Sequence, residues 1–490
     1  MSEPLTRRAV SAVRITVLAS IAGMLVQGLI LVVLARLLTP EDYGLFALAA
    51  SISRLSSALV LGSLERLLTV GPDDRRAAAP AVLHTLLVAA ASAIGLAAHW
   101  LVSWLGGFPH HEWLALVVLA ASFPGAFVVG ARATLRRQLQ FRPIVLGDLS
   151  GQILGTGLVA VLCAFAGWGA YALAAGALVQ ALVSAAYVGL AARHPFDLRI
   201  DLAELVKLLK QLWLTAQMTA SEIANAQIPS LLVPALLGVA QLGLFNRIYA
   251  LIQLPVEISV NALTRVLISG LVLVKEDRER LLRAFRKVVT LTTALASPVA
   301  AGMIACRHDL VGVVLGPQWL EGAQLVPFLA VSTWAIMTGV IFSILNEAAQ
   351  LFREKTRIQV VSTLALVVAM AGGAVLFGLA GAAAGMAAAS LLWLVLSMHC
   401  AGQRLETGLW EMAGWMRPGA VAALLSGAVG WSVSQAASGP ISMPLSLALE
   451  VAACGLATVA YYGLFHRGLL LDILGHLGMP SSLEKARAAP

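Results

Sequence analysis

The chain is patterned in long apolar runs separated by short polar breaks. Fourteen runs are visible, at about 15–37, 45–70, 81–106, 113–131, 145–167, 170–192, 212–237, 243–272, 288–306, 324–349, 357–378, 381–402, 418–436 and 444–466. Each is close to the roughly 20 residues a helix needs to cross a hydrocarbon core about 30 Å thick. A β-barrel alternates apolar and polar residues along every strand and would not reach this hydrophobicity. The predicted fold is therefore an all-α polytopic membrane protein with 14 transmembrane helices.

Two connections read differently from the rest. Residues 197–211 and 275–287 space Leu and Ile at helical intervals with charges between them, which predicts interfacial amphipathic helices. The first lies between spans six and seven and marks a joint. An internal echo supports it: Leu37-Leu38, five residues, then Gly44-Leu45-Phe46 recurs as Leu236-Leu237, five residues, then Gly243-Leu244-Phe245. Both copies lead into an even-numbered span, six spans apart, as parallel repeats of a transporter would. The expected layout is an N-terminal six-helix lobe (1–192), an amphipathic cytoplasmic linker (193–211), a second six-helix lobe (212–402), two extra C-terminal helices (403–466) and a cytoplasmic tail (467–490).

Composition agrees with the pattern and excludes several classes. Of 490 residues, 59% are hydrophobic and 12% charged, about half the charge of a soluble protein, with a mean hydropathy of +0.88. A soluble enzyme, a disordered chain and a fibrous repeat are all excluded. The net charge of +8 could suggest nucleic acid, so the position of the basic residues decides. With the N-terminus inside, 28 of the 33 Lys and Arg fall in inner segments, only Arg36 and Arg307 lie outside, and Arg54, Arg247 and Arg265 fall within spans. That asymmetry sets orientation: both termini are expected on the cytoplasmic side, with no nucleic-acid partner. The run at 15–37 is too long for a cleaved signal and reads as a retained first span.

Motifs add little catalytic chemistry. Cys163, Cys306, Cys400 and Cys454 are scattered without zinc or disulfide spacing, no glycine-rich loop ends in Gly-Lys-Ser/Thr, and no metal or cofactor is expected. Thr39-Pro40-Glu41-Asp42 reads as a helix start, with Thr as cap and acids at the positive end of the helix dipole. A carboxylate pair on a first outer loop could also serve a membrane glycosyltransferase. His110-His111-Glu112 lacks helical metal-ligand spacing, and His84 reads as an interior hydrogen-bonded side chain.

The informative residues are charges deep within spans, each costing about 2.5 to 3.5 kcal/mol at mid-helix. Arg54 falls in the second span, Glu222 near the centre of the seventh, and Glu257 in the eighth, two residues after Pro255. Arg247 is shallower, and Arg265, Glu65, Asp148, Glu347 and Glu450 lie nearer span ends. The deep set reads either as structural ion pairs or as a water-filled cavity with basic groups for an anionic substrate and acids for a cation.

The stretch Leu-Ala-Arg-Leu-Leu-Thr-Pro-Glu-Asp-Tyr-Gly-Leu-Phe-Ala-Leu (34–48) resembles the first-loop signature of Wzx-type oligosaccharide flippases, in the multidrug/oligosaccharidyl-lipid/polysaccharide flippase superfamily. Arg136-Arg137-Gln138-Leu139-Gln140-Phe141-Arg142, the run from Leu237 to Arg247, and Leu315-Gly316-Pro317-Gln318-Trp319 are similar to that family's pattern too. The resemblance implies transfer of an undecaprenyl-pyrophosphate-linked oligosaccharide from the cytoplasmic to the outer leaflet of a bacterial inner membrane. Expected partners are this lipid-linked oligosaccharide, membrane lipid, polysaccharide polymerase or export machinery, and H+ or Na+ as coupling ion. Arg54, Arg247 and Arg14 are then candidate headgroup ligands, with Glu222 and Glu257 as cation- or proton-coupling residues. A cation-coupled drug exporter of the same superfamily and a membrane glycosyltransferase or polymer ligase are the alternatives.

Overall fold

The computed structural model describes residues 22–55, 65, 81–106, 112–138, 140–192, 225–273, 278–348, 351–437 and 442–476. Among them there is no strand, and packing divides the chain into two compact units, Met1–Asn246 and Arg247–Pro490. The expected linker at 193–211 lies outside the described residues, as does the end of the tail beyond His476. Six described helices are long and apolar enough to cross a membrane, or seven if one bent pair counts as a single span.

The first unit begins with α1 (Ala22–Leu37) and α2 (Pro40–Ser53). The cap read from the sequence is present: the Asp42 N–H donates to Thr39 Oγ1 at 3.2 Å, and the Thr39 N–H donates back to Asp42 Oδ2 at 3.0 Å. This capping box satisfies two otherwise orphan donors, so Glu41-Asp42 is accounted for as a helix start. After α3 (Ala81–Gly106), α4 (Glu112–Phe127) meets α5 (Val129–Arg137) at a 44° bend. Pro124 lacks the N–H that a straight helix would use, and the turn at Ala121-Ser122 comes just before it. Next come α6 (Phe141–Phe165), α7 (Ala170–Ala192), α8 (Asn225–Leu237) and, after Gly238, α9 (Val239–Leu273), whose residues from Arg247 onward belong to the second unit.

The two copies of the repeated motif pack on each other within the first unit. A Cβ on Gly44 would fall 1.9 Å from Val239 O, and one on Gly243 would fall 1.7 Å from Pro40 O. Val239 occupies in the second copy the place Pro40 holds in the first, so the crossing is reciprocal. Glycine permits it, since small residues let membrane helices approach to backbone contact.

The second unit contains α10 (Arg278–Ala305), α11 (Arg307–Val314), α12 (Val326–Ala348) and α13 (Phe352–Leu405). The amphipathic stretch expected at 275–287 is described from residue 278, and there it is not a separate interfacial helix. It forms the opening turns of α10, continuous with the ninth span, because no Gly or Pro interrupts residues 278–297. Its apolar face is covered: Phe285 is fully buried, edge-on to Phe342 at 5.3 Å and to Trp415 at 6.4 Å. The long α13 reverses on itself at Phe377-Gly378, where Gly378 has φ 62°, a conformation that carries no steric penalty only for glycine. Gly373 meets Gly381 and Gly385 meets Ala369 across the hairpin, so runs 357–378 and 381–402 form an antiparallel pair. The Leu315–Trp319 motif is also explained: Gly316 has φ 114°, Pro317 opens a 3-10 segment, and Trp319 is completely buried.

After the short α14 (Leu409–Trp415), α15 (Arg417–Ala437) and α16 (Met443–Phe465) pack against α10, and α17 (Arg467–His476) closes the described chain. Pro298 inside α10 has no N–H for the carbonyl of Ala294. Tyr462 of α16 supplies the missing donor, its hydroxyl reaching Ala294 O at 2.8 Å. The Ser426 hydroxyl of α15 donates to Pro298 O at 3.4 Å. The helix interior of a bilayer offers no water, so a freed carbonyl must find such a partner inside the protein. The outer faces are correspondingly apolar: Val375, Leu424 and Leu464 are each more than 70% exposed, as lipid contact requires.

Candidate functional site

Charged residues in the first unit converge where α5, α6 and α7 meet. Arg132 Nη2 donates to Asp148 Oδ1 at 2.5 Å and to Ser184 Oγ at 2.7 Å, and the Ser184 hydroxyl donates to the same Asp148 oxygen at 2.6 Å. Each member has its place from local structure. The bend at Val128 starts α5 and carries Arg132 one turn along it. Asp148 lies in α6 just before a π-helical stretch, Gln152–Val159, and such insertions re-aim the residues around them. Ser184 follows Gln180 by one turn on α7.

Glycines hold α6 on α7 closely enough for the three groups to meet. A Cβ on Gly151 would lie 2.6 Å from Gln180 O, and one on Gly155 would lie 2.5 Å from Gly176 O. The cluster opens into a pocket of about 360 Å³ lined also by Ser122 and Gln180. The side chains of Arg132 and Asp148 remain 22% and 49% exposed. Ser122 Oγ lies 3.4 Å from Ser53 Oγ at the end of α2, and the next residue is Arg54. The polar lining thus runs from the pocket to the end of α2. The guanidinium can donate to an anionic or hydroxylated ligand while the carboxylate, amide and hydroxyls accept from it.

Of the residues singled out in the sequence, Arg54 caps the C-terminus of α2 and has an exposed side chain. Arg247 is half-buried on α9. Glu257 is on the backbone of α9 beyond Pro255, its side chain outside the described residues. Arg14 and Glu222 also lie outside them. Glu65, read as a span-end charge, is paired with Arg136 at 2.9 Å. Arg132, counted only as an inner-segment charge, and Asp148, read as a charge near a span end, turn out to be partners. Their signal was the four-residue spacing of Gly147, Gly151 and Gly155, which marks a close helix contact.

Residues 33–324 match the sequence profile of a family described as polysaccharide biosynthesis protein. The chain belongs to that family. The match includes the first-loop stretch at 34–48 on which the flippase resemblance rested, and every residue of the pocket. Among similar proteins, the succinoglycan biosynthesis transport protein ExoT of Rhizobium meliloti is 26% identical over 309 residues, covering 61% of each chain. The lipopolysaccharide biosynthesis protein WzxC of Escherichia coli is 24% identical over 362 residues, covering 70% of each. The chain therefore aligns with about three fifths of the ExoT relative's length. In solved structures, the fold matches the lipid II flippase MurJ in an inward closed conformation, with TM-score 0.73, 12% identity, and 92% of this chain and 99% of that one covered. A multidrug MATE transporter of the MOP superfamily matches with TM-score 0.53 and 16% identity over 78% of this chain and 93% of that one. The polytopic all-α transporter fold expected from the sequence is thus present in this family member.

Proposed function

We propose that this family member is a flippase, not an enzyme, and that it moves an undecaprenyl-pyrophosphate-linked oligosaccharide across the bacterial inner membrane during surface polysaccharide synthesis. The observation that carries the reading is the family match, which spans most of the first unit and continues into the second. It is supported by relatives named as succinoglycan transport and lipopolysaccharide biosynthesis proteins. A cargo with a charged pyrophosphate and a hydroxyl-rich glycan needs donors and acceptors within the bundle. The pocket of Arg132, Asp148, Gln180 and Ser184 has both. Arg54, Arg247 and Arg14 serve the pyrophosphate in this reading, with Glu222 and Glu257 exchanging H+ or Na+. The fourteen spans, two six-helix lobes with two added helices, and cytoplasmic termini belong to the same proposal, with transport by alternating access of the lobes.

The test is reconstitution in liposomes with labelled lipid-linked oligosaccharide, following access of the glycan to a reagent on the opposite face. Loss of one hydrogen bond to the cargo of about 1.4 kcal/mol lowers affinity tenfold. The R54A and R132A proteins should therefore need at least about tenfold more substrate for the same rate. Transfer unchanged in both variants removes their role, and no transfer by the native protein removes the function. The MATE likeness is of fold, so cation-driven export of drugs without glycan transfer in the same vesicles would favour that second reading.

A further inference from the structure

A second polar cluster lies in the second unit. Along α16, Ser446, Glu450 and Cys454 recur every four residues and share one face. Glu450 is seven residues after Met443, about 10 Å along the helix, and its exposure is 0%. One carboxyl oxygen lies 3.5 Å from Ser446 Oγ, and the other, Oε2, has no hydrogen-bond partner. The Ser434 hydroxyl of α15 faces the carboxyl. Below it, Cys454 packs between Gly302 and Gly430, and its thiol meets that of Cys306.

No ion pair reaches Glu450 among the described residues. The charged group facing it is Asp309 of α11, which has the same sign. Arg307, two residues earlier, turns its guanidinium to Ile304 O at 3.4 Å. An ionised carboxylate in such surroundings has lost its water, gained no counter-charge and been placed near another acid. A protonated carboxyl has none of these difficulties, and it supplies an O–H for hydroxyl neighbours that already sit around it.

We propose that Glu450 is a reversible proton-binding site, formed between α11, α15 and α16 and lined by Ser434, Ser446 and the paired thiols of Cys306 and Cys454. Asp309 is half-buried, and the neighbouring His308 is exposed. The site is separate from the charges assigned to cargo, and it does not rest on what the cargo is.

The full-length protein in lipid nanodiscs tests this with the variants E450Q and E450D. Infrared spectra of the native protein should contain a protonated-carboxyl C=O band at pH 6 that disappears toward pH 10 and is missing from E450Q. The E450Q protein, whose amide copies the neutral acid, should melt with the native protein at pH 6 and at higher temperature than it at pH 10. Replacing Na+ by choline should change neither result. The proposal is overturned if the band is absent, if it persists unchanged at every pH, or if E450D assembles while E450Q does not. It is also overturned if Na+ raises the melting temperature of the native protein but not of E450Q, which would make Glu450 a metal-cation ligand.

Discussion

Adding one methyl group at Gly44 or at Gly243 tests how the two copies of the repeated motif meet. The added carbon would lie 1.9 Å from Val239 O in one case and 1.7 Å from Pro40 O in the other, where ordinary contact begins at 3.4 Å. Both obstacles are backbone carbonyls, which cannot rotate aside as a flexible side chain would. The helices must part by about 1.5 Å, and overpacking of that kind costs about 1 to 3 kcal/mol. Against this, Ala is favoured over Gly in a helix interior by about 0.8 to 1.0 kcal/mol. Strain at a rigid contact offsets or exceeds the propensity gain, so each single variant should be destabilised by up to about 2 kcal/mol.

The reciprocal geometry adds a stronger expectation. Once the crossing has opened for one methyl, the second finds room already made, so the double variant should cost less than the sum by about 1 kcal/mol, as contacting sites generally do. The assay is unfolding of the purified protein in detergent, comparing G44A, G243A and the double variant. G28A is the control, because a Cβ there meets nothing within 4 Å and should leave stability unchanged or slightly raised. If G44A and G243A are as stable as G28A, or if their costs simply add, the close reciprocal crossing is refuted.

Two further outcomes are expected. The Y462F protein leaves Ala294 O without the donor that Pro298 denied it, at a cost of about 1 to 3 kcal/mol for a buried unsatisfied carbonyl. Restoring the N–H with P298A in the Y462F background should recover much of that loss, and an equal loss in both backgrounds would show that the hydroxyl does not act through this carbonyl. For the pocket, a double-mutant cycle with R132Q and D148N should return a coupling of about 1 to 2 kcal/mol, below the 3 to 5 typical of breaking a fully buried pair, because both side chains keep contact with the pocket. Additive unfolding costs would mean that the pair holds nothing together.

The fold was legible in the sequence where the bilayer itself imposes the rule. A span must be apolar and about 20 residues long, so runs such as 170–192 and 444–466 fall within a residue or so of α7 and α16. The helix start at Thr39 was legible for a similar reason, since a cap is a local arrangement of four consecutive residues. The interfacial helix expected at 275–287 failed because charge spacing shows amphipathicity but not what covers the apolar face, and here that is Phe342 and Trp415 from other helices. Partnership between distant charges was the least accessible. Arg132, Asp148 and Ser184 are separated by 16 and 36 residues, and only the glycine contacts of α6 on α7 decide that they meet. Glu450 carries the same lesson in reverse. Its polar face with Ser446 and Cys454 can be read from four-residue spacing, yet what gives the carboxyl its character is that no ion pair reaches it among the described residues. That is a property of three packed elements, and no single stretch of sequence contains it.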